Sequence, residues 1–209
     1  MKLIIFGASR GVGRLLTEFA LAQEHQVTAF VRNRSSLNLN NSLLTVVSGD
    51  VTNVANVEQA TKGHEMVFCT LGQDTRGATT LYSVAAHNIT QAMNEQGIRR
   101  LMFLSNFGVL GETASTFRTF FTVSLAKLLL RGTLDDHRRA LEEIQKYSWE
   151  WVAVRPMGLT DGERTGQYRI ALDGLPEGGT RISRADVADF MLKQVKSDEY
   201  VHKIPAIAY

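Results

Sequence analysis

The chain has 209 residues, enough for one α/β domain with a small covering lobe. Its composition, 44% hydrophobic and 21% charged, is that of a globular protein with a core to bury. A formal net charge of +2 argues against a nucleic-acid or anionic-membrane partner, and no uninterrupted apolar run reaches membrane-spanning length.

The chain opens on Lys2-Leu3-Ile4-Ile5-Phe6, a strand pattern without signal-peptide layout, so a soluble cytoplasmic protein is expected. Short apolar runs predict strands at Lys2–Phe6, Gln26–Val31, Leu44–Ser48, Met66–Thr70, Arg100–Ser105 and Glu150–Arg155. Their continuous hydrophobicity suits strands covered on both faces. Helical periodicity falls between them, at Val12–Gln23, Val54–Thr61, Thr80–Glu95 and Leu134–Lys146. This alternation predicts a doubly wound parallel sheet of Rossmann type in one domain spanning 1–209. Cys69 is the one cysteine, so no internal disulfide forms; its apolar strand neighbours make it an inert buried thiol suited to a reducing compartment.

The stretch Asn106–Arg131 reads as a helix, with Phe117, Phe120, Phe121, Leu125, Leu128 and Leu129 mostly at helical spacings. A helix packed on the body or a homodimer contact through 117–130 is the favoured reading; a lid over substrate is the alternative. Gly162–Gly179 is rich in turn residues. Ser183, with Asp186 three residues on, opens a helix to about Lys196, and a final strand is predicted over His202–Ala208. Segments 106–133 and 156–183 are expected on the substrate side.

Function enters at Gly7-Ala8-Ser9-Arg10-Gly11-Val12-Gly13, between the first strand and its helix. Gly7 permits the sharp exit from the strand, a bare Gly11 admits a diphosphate to backbone N–H groups, and Gly13 allows close helix–sheet contact. An NAD site asks for a carboxylate after the second strand; this chain has Arg32-Asn33-Arg34-Ser35 there. Arg32, with Arg10 reaching the same group, therefore favours the 2′-phosphate of NADPH over NAD. Asp50-Val51 and Leu71-Gly72 end the third and fourth strands and suit the same cleft, although Asp50 is equally read as a helix cap.

These landmarks resemble the atypical short-chain dehydrogenase/reductases of the NAD(P)H-binding, NmrA-like family, and within it the flavin reductases also called biliverdin-IXβ reductases. The resemblance is carried by Ile5-Phe6-Gly7-Ala8-Ser9, Val31-Arg32, Gly49-Asp50-Val51, Leu71-Gly72 and Leu134-Asp135-Asp136-His137. It continues through Trp151–Pro156, Thr165–Tyr168, Leu172-Asp173-Gly174 and Arg181-Ile182-Ser183. It implies that Gly7, Ser9, Arg10, Gly11, Val12, Gly13, Arg32, Ser35, Asp50, Val51, Leu71, Gly72 and Arg76 line the cofactor. It also implies that Ser105 stands beside the nicotinamide and that Tyr82, Ser105, His137, Pro156 and Met157 line the substrate cleft. Two departures fall on the substrate side. Gly158 stands where the flavin reductases carry a His, and Thr113–Leu130 is longer and more apolar.

Alcohol–ketone chemistry of the typical short-chain dehydrogenase kind needs a Tyr with a Lys four residues on. None of Tyr82, Tyr147, Tyr168, Tyr200 and Tyr209 has that partner. Hydride transfer to a conjugated, planar acceptor, a flavin used as substrate or a linear tetrapyrrole, suits the remaining residues, with Ser105 and His137 as catalytic candidates and no metal. His137 reads equally well as an exposed residue in the first turn of a helix capped by Asp135 or Asp136. An NADP(H)-sensing regulator or assembly factor and a reductase of quinones or small electrophiles are the alternatives.

Overall fold

Leu3, Ile4, Ile5 and Phe6 of the first strand, Lys2–Phe6 (β1), are wholly buried, and they divide by parity. Leu3 and Ile5 pack on one face of the sheet, Ile4 and Phe6 on the other, as strand alternation requires when both faces are covered. A computed structural model describes residues 1–73, 77–111 and 117–209, with 117–130 given as helix backbone. In chain order the elements are β1, Gly11–Ala22 (α1), Gln26–Val31 (β2), Leu44–Ser48 (β3), Val54–Thr61 (α2), Met66–Cys69 (β4), Leu81–Gln96 (α3) and Arg100–Leu104 (β5). There follow Phe117–Ile144 (α4), Glu150–Pro156 (β6), Gly158–Thr160 (β7), Arg169–Ala171 (β8), Arg181–Ser183 (β9), Arg184–Lys193 (α5) and Ala206–Ala208 (β10).

The main sheet runs β3-β2-β1-β4-β5-β6-β10-β8, parallel throughout except for the antiparallel edge strand β8. This is the Rossmann order expected, with one domain. The chain leaves β1 toward β2 and β3 and returns to the other side of β1 at β4, so a crevice opens above the carboxyl ends of β1 and β4. Helices α1 and α5 contribute to one core, which contains Leu16, Ala20, Val187 and Met191. Helices α2, α3 and α4 contribute to the other, which contains Val57, Ile89, Met93 and Leu141.

Three expectations are corrected. The two helical segments before and after Gly132 are one helix, α4; glycine interrupts the helical pattern because a Cβ there would lie 2.7 Å from the Ala78 backbone. The turn-rich stretch 162–179 contains β8, and its flanks β7 and β9 pair in parallel as a small separate sheet. These strands are three residues each, too short to show a period. The last strand is only Ala206–Ala208: His202, with φ of 59°, belongs to a turn closed by the Lys203 N–H on the Tyr200 carbonyl, and Pro205 has no N–H to give a ladder. Ser183 does cap α5, its hydroxyl accepting from the Asp186 N–H at 2.9 Å. Among the described residues no helix is long and apolar enough to cross a membrane.

Candidate functional site

Above the carboxyl ends of the central strands lies a cleft of about 930 Å³. Its floor at one end is the glycine turn. Gly7 has φ of +86°, and a Cβ on it would sit 2.8 Å from the Thr70 carbonyl. Gly13 lies beneath the cleft rather than on its wall; a Cβ there would collide with the Gly7 carbonyl oxygen and the Thr70 hydroxyl. The turn is thus pressed between β1, β4 and α1, as its residue types require. No side chain caps α1, and no acid stands in its first turn, so backbone donors and the positive end of the helix dipole are presented to the cleft. These residues fit a diphosphate: the space a Cβ would fill is absent where backbone and anion have to approach.

The remaining cofactor candidates divide. Ser9, Arg10, Gly11, Val12, Arg32, Asp50, Val51, Leu71 and Gly72 line the cleft with Gly7. Ser35 does not. It sits in a single 3₁₀ turn, Arg34–Ser36, with its N–H and hydroxyl both engaged by Asn33 Oδ1 at 3.1 and 2.8 Å. Arg76 lies outside the described residues. Arg10 points from the turn toward the fourth strand, where its Nη2 reaches the Gly72 carbonyl at 3.4 Å and its charge bears on Tyr82. Arg32 is therefore the better placed of the two cations for a group at the end of β2.

Asp50 caps no helix. Its Oδ1 accepts from the N–H and hydroxyl of Thr52 at 2.9 and 2.8 Å, and α2 is capped by Asn53 instead. The Thr52 bonds, with a smaller pull from Arg32, hold the Asp50 carboxyl below its ordinary range, so it is an acceptor at neutral pH.

At the other end, Tyr82, Ser105, His137, Pro156 and Met157 all line the cleft. Ser105 directly follows β5, with its N–H bonded to the Val154 carbonyl at 2.8 Å. Its hydroxyl oxygen and Nδ1 of His137 are buried and, among the described residues, have no hydrogen-bond partner. Two such atoms on one cleft wall are poised for a polar ligand, since leaving them unmet is costly. His137 is 3% exposed, stacks on Tyr82 with ring centroids 3.8 Å apart and meets the edge of Phe103. Burial pulls its pKa down to about 4, so the imidazole is neutral at physiological pH.

The expectation of an exposed His137 in a first helical turn is thus overturned: α4 extends well before it. Its neighbour Asp136 caps a different helix. Asp136 is fully buried and accepts from the Tyr82 N–H at 2.8 Å, the Ser83 hydroxyl at 2.5 Å and Arg139 at 3.1 Å. It closes the N-terminus of α3, where Thr80 makes no side-chain cap, and clamps α4 to α3 beside the His137–Tyr82 stack.

Tyr168 lies away from the cleft, donating to Asp189 Oδ2 at 3.1 Å. Cys69 is buried, and burial pushes its thiol up to about 12, so it is inert as expected. Trp149 and Trp151 are buried packing residues, Trp149 stacked on Tyr147. At Gly158 a Cβ would stand 3.0 Å from the Thr180 carbonyl oxygen, so the pairing of β7 with β9 disfavours a side chain there. The homodimer contact through 117–130 concerns side chains outside the described residues. Periodicity missed Gln73, Thr133, Asp161 and Arg184, which also line the cleft: Gln73 and Asp161 come from loops, Arg184 from a helix start, and Thr133 from the part of α4 beside Gly132 where no helix is predicted.

Residues 7–198 match the family model described as NAD(P)H-binding. The Bacillus subtilis protein YwnB is 27% identical over 207 residues, 96% of this chain and 94% of that protein. A short-chain dehydrogenase/reductase from Veillonella parvula, solved in complex with NADP, superposes with a TM-score of 0.83 at 18% identity, covering 100% of this chain and 94% of that one. ChuY, an anaerobilin reductase from Escherichia coli, superposes with a TM-score of 0.79 at 21% identity, covering 100% and 97%.

Proposed function

The chain belongs to the NAD(P)H-binding family, and from that premise we propose that it is an NADPH-dependent reductase of a planar conjugated acceptor, a flavin or a linear tetrapyrrole. The observation that carries the reading is one continuous cleft joining the glycine turn to Ser105, His137 and Met157. The anaerobilin reductase fold relative supports the acceptor class.

When bound, NADPH supplies a hydride from its nicotinamide. The protein's share is to bind, orient and keep water out. Backbone N–H groups of the turn beyond Gly7, at the start of α1, would hold the diphosphate, and Arg32 would pair with the 2′-phosphate by its planar fork. Asp50 would accept from the adenine amino group, with Val51 beside it as apolar wall for the ring. The buried Ser105 hydroxyl would orient the nicotinamide or acceptor and could relay the solvent proton that balances the hydride. Neutral His137 offers Nδ1 to the acceptor, and the buried Met157 supplies apolar wall. Burial raises the Tyr82 phenol above its ordinary range, so it stays protonated and serves as wall and hydrogen-bonding group rather than as base. Rate comes chiefly from positioning the two rings.

The test is NADPH oxidation, followed by loss of its absorbance, against FMN, riboflavin, biliverdin and quinones, with NADH in parallel. Turnover with a flavin or tetrapyrrole and weak use of NADH is the expected result. Tight NADPH binding with no turnover on any acceptor indicates a sensing role instead, and turnover with quinones alone moves the acceptor class.

A further inference from the structure

We infer that Arg184 is an anion clamp of this cleft, gripping the dinucleotide diphosphate beside the glycine turn, with Asp161 as the exposed counter-ion that the diphosphate replaces or shares. The inference rests on the NADPH reading above and assigns a residue that the glycine motif does not contain.

Arg184 is the first residue of α5, and its backbone is fixed from several directions. The preceding Ser183 donates its hydroxyl to the Glu163 carbonyl and its N–H to the Tyr209 hydroxyl oxygen, 3.1 Å away in each case. Two residues on, Asp186 accepts from the N–H groups of Thr165 and Gly166 and from the Tyr209 hydroxyl, at 2.7–2.8 Å. From this anchored start the Arg184 stem crosses to the glycine turn. A Cβ on Gly11 would stand 3.6 Å from Arg184 Cδ and 3.8 Å from its Nε. The guanidinium therefore lies beside the backbone donors of the turn, and both Gly11 and Arg184 line the cleft.

Among the described residues, the two arginines nearest the turn in the chain are engaged elsewhere. Arg10 reaches across to Gly72, and Arg14 pairs along α1 with Glu18 at 3.0 Å. Arg184 instead pairs with Asp161 at 2.5 Å, a carboxylate whose side chain is 89% exposed. An ion pair so open to water is weak, so exchanging or sharing it with a diphosphate costs little. A diphosphate offers paired anionic oxygens that match the five-donor fork of a guanidinium. The arrangement also ties cofactor binding to the β7–β9 segment, since Asp161 directly follows β7 and Arg184 directly follows β9.

The experiment measures dissociation constants by calorimetry for NADPH, NADH, ADP-ribose and adenosine 2′-monophosphate with wild type, Arg184→Met and Asp161→Asn. Methionine keeps the stem packed over Gly11 and removes only the charged fork. Arg184→Met is expected to weaken NADPH, NADH and ADP-ribose alike, by roughly 10-fold or more. The NADPH-to-NADH ratio and the affinity for the 2′-monophosphate, which has no diphosphate, stay within about twofold by the same reasoning. Asp161→Asn binds the three diphosphates as tightly as wild type or a few-fold tighter. The inference is overturned if Arg184→Met binds ADP-ribose and NADH like wild type, if it weakens NADPH alone, or if it loses the 2′-monophosphate equally. A wild-type protein that binds neither pyridine nucleotide overturns the NADPH reading as well.

Discussion

At the cofactor end of the cleft, the main pieces are each shaped locally: Gly7 to Gly13 form one turn, and Asp50 is held by Thr52 two residues away. At the acceptor end, Ser105, His137 and Met157 converge from β5, from the middle of α4 and from the residue after β6. The first end is built by local backbone geometry that few residue types permit. The second is built by long-range packing, and its key anchor, Asp136, acts on a helix more than fifty residues away in the chain, with a separation of 54 to Tyr82. The lesson is a division of roles: changes at the turn should act on binding, and changes at the acceptor end on turnover.

Gly13→Val strikes the turn hardest, because the new Cβ would meet backbone that cannot move without displacing β1 or β4. The expected cost is about 3 kcal/mol or more, seen as a fall in Tm of roughly 6–12 °C together with loss of NADPH binding. A variant that melts like wild type would show that the turn is not pressed against Thr70 at all.

Asp136→Ala tests the other end. Removing a buried carboxylate that caps α3 leaves the Tyr82 N–H unmet and takes the ion pair from Arg139, which keeps the Thr79 carbonyl, at a cost of about 2–3 kcal/mol. Turnover should fall as the His137–Tyr82 stack loosens, while the NADPH dissociation constant stays within about twofold. Equal losses in both would erase the division between the two ends.

Arg32→Ala sharpens the cofactor end. Loss of a charged, bidentate partner should weaken NADPH about 10- to 100-fold and leave NADH nearly unchanged. A parallel fall for both nucleotides would remove Arg32 from 2′-phosphate recognition.

The smallest effect is one of pH. The folded-state pKa of His137, about 4, lies below the ordinary 6.5, so between those values the unfolded chain binds the additional proton. Its contribution is complete above about pH 6.5 and is lost as the pH falls toward 4. Between pH 7 and pH 5 the wild type should lose about 2 kcal/mol more than His137→Gln in denaturant unfolding. Identical pH slopes would mean that the imidazole is not buried neutral.

The same contrast explains what could be read from residues alone. Strands β1, β2 and β3 and helix α2 stand where hydrophobic patterning puts them, because each element carries its own period. The glycine turn was legible for the same reason, its constraint being local. His137 was not: its environment depends on α4 continuing through Gly132, a residue that normally argues for a break and is required here by the Ala78 backbone. Arg184 sits in a helix-start pattern, Ser183 to Asp186, that predicts the cap and is silent on the side chain's reach to Gly11. The family resemblance implies Ser35 at the cofactor, but Asn33 folds the stretch into a 3₁₀ turn that occupies its hydroxyl.

The most direct measurement is calorimetric titration of the wild-type chain with NADPH and with NADH under one buffer. Bare amides at the turn together with the Arg32 guanidinium predict one molecule of NADPH per chain, at least about tenfold tighter than NADH. Absence of saturable binding by either nucleotide, or a preference for NADH, would contradict that account.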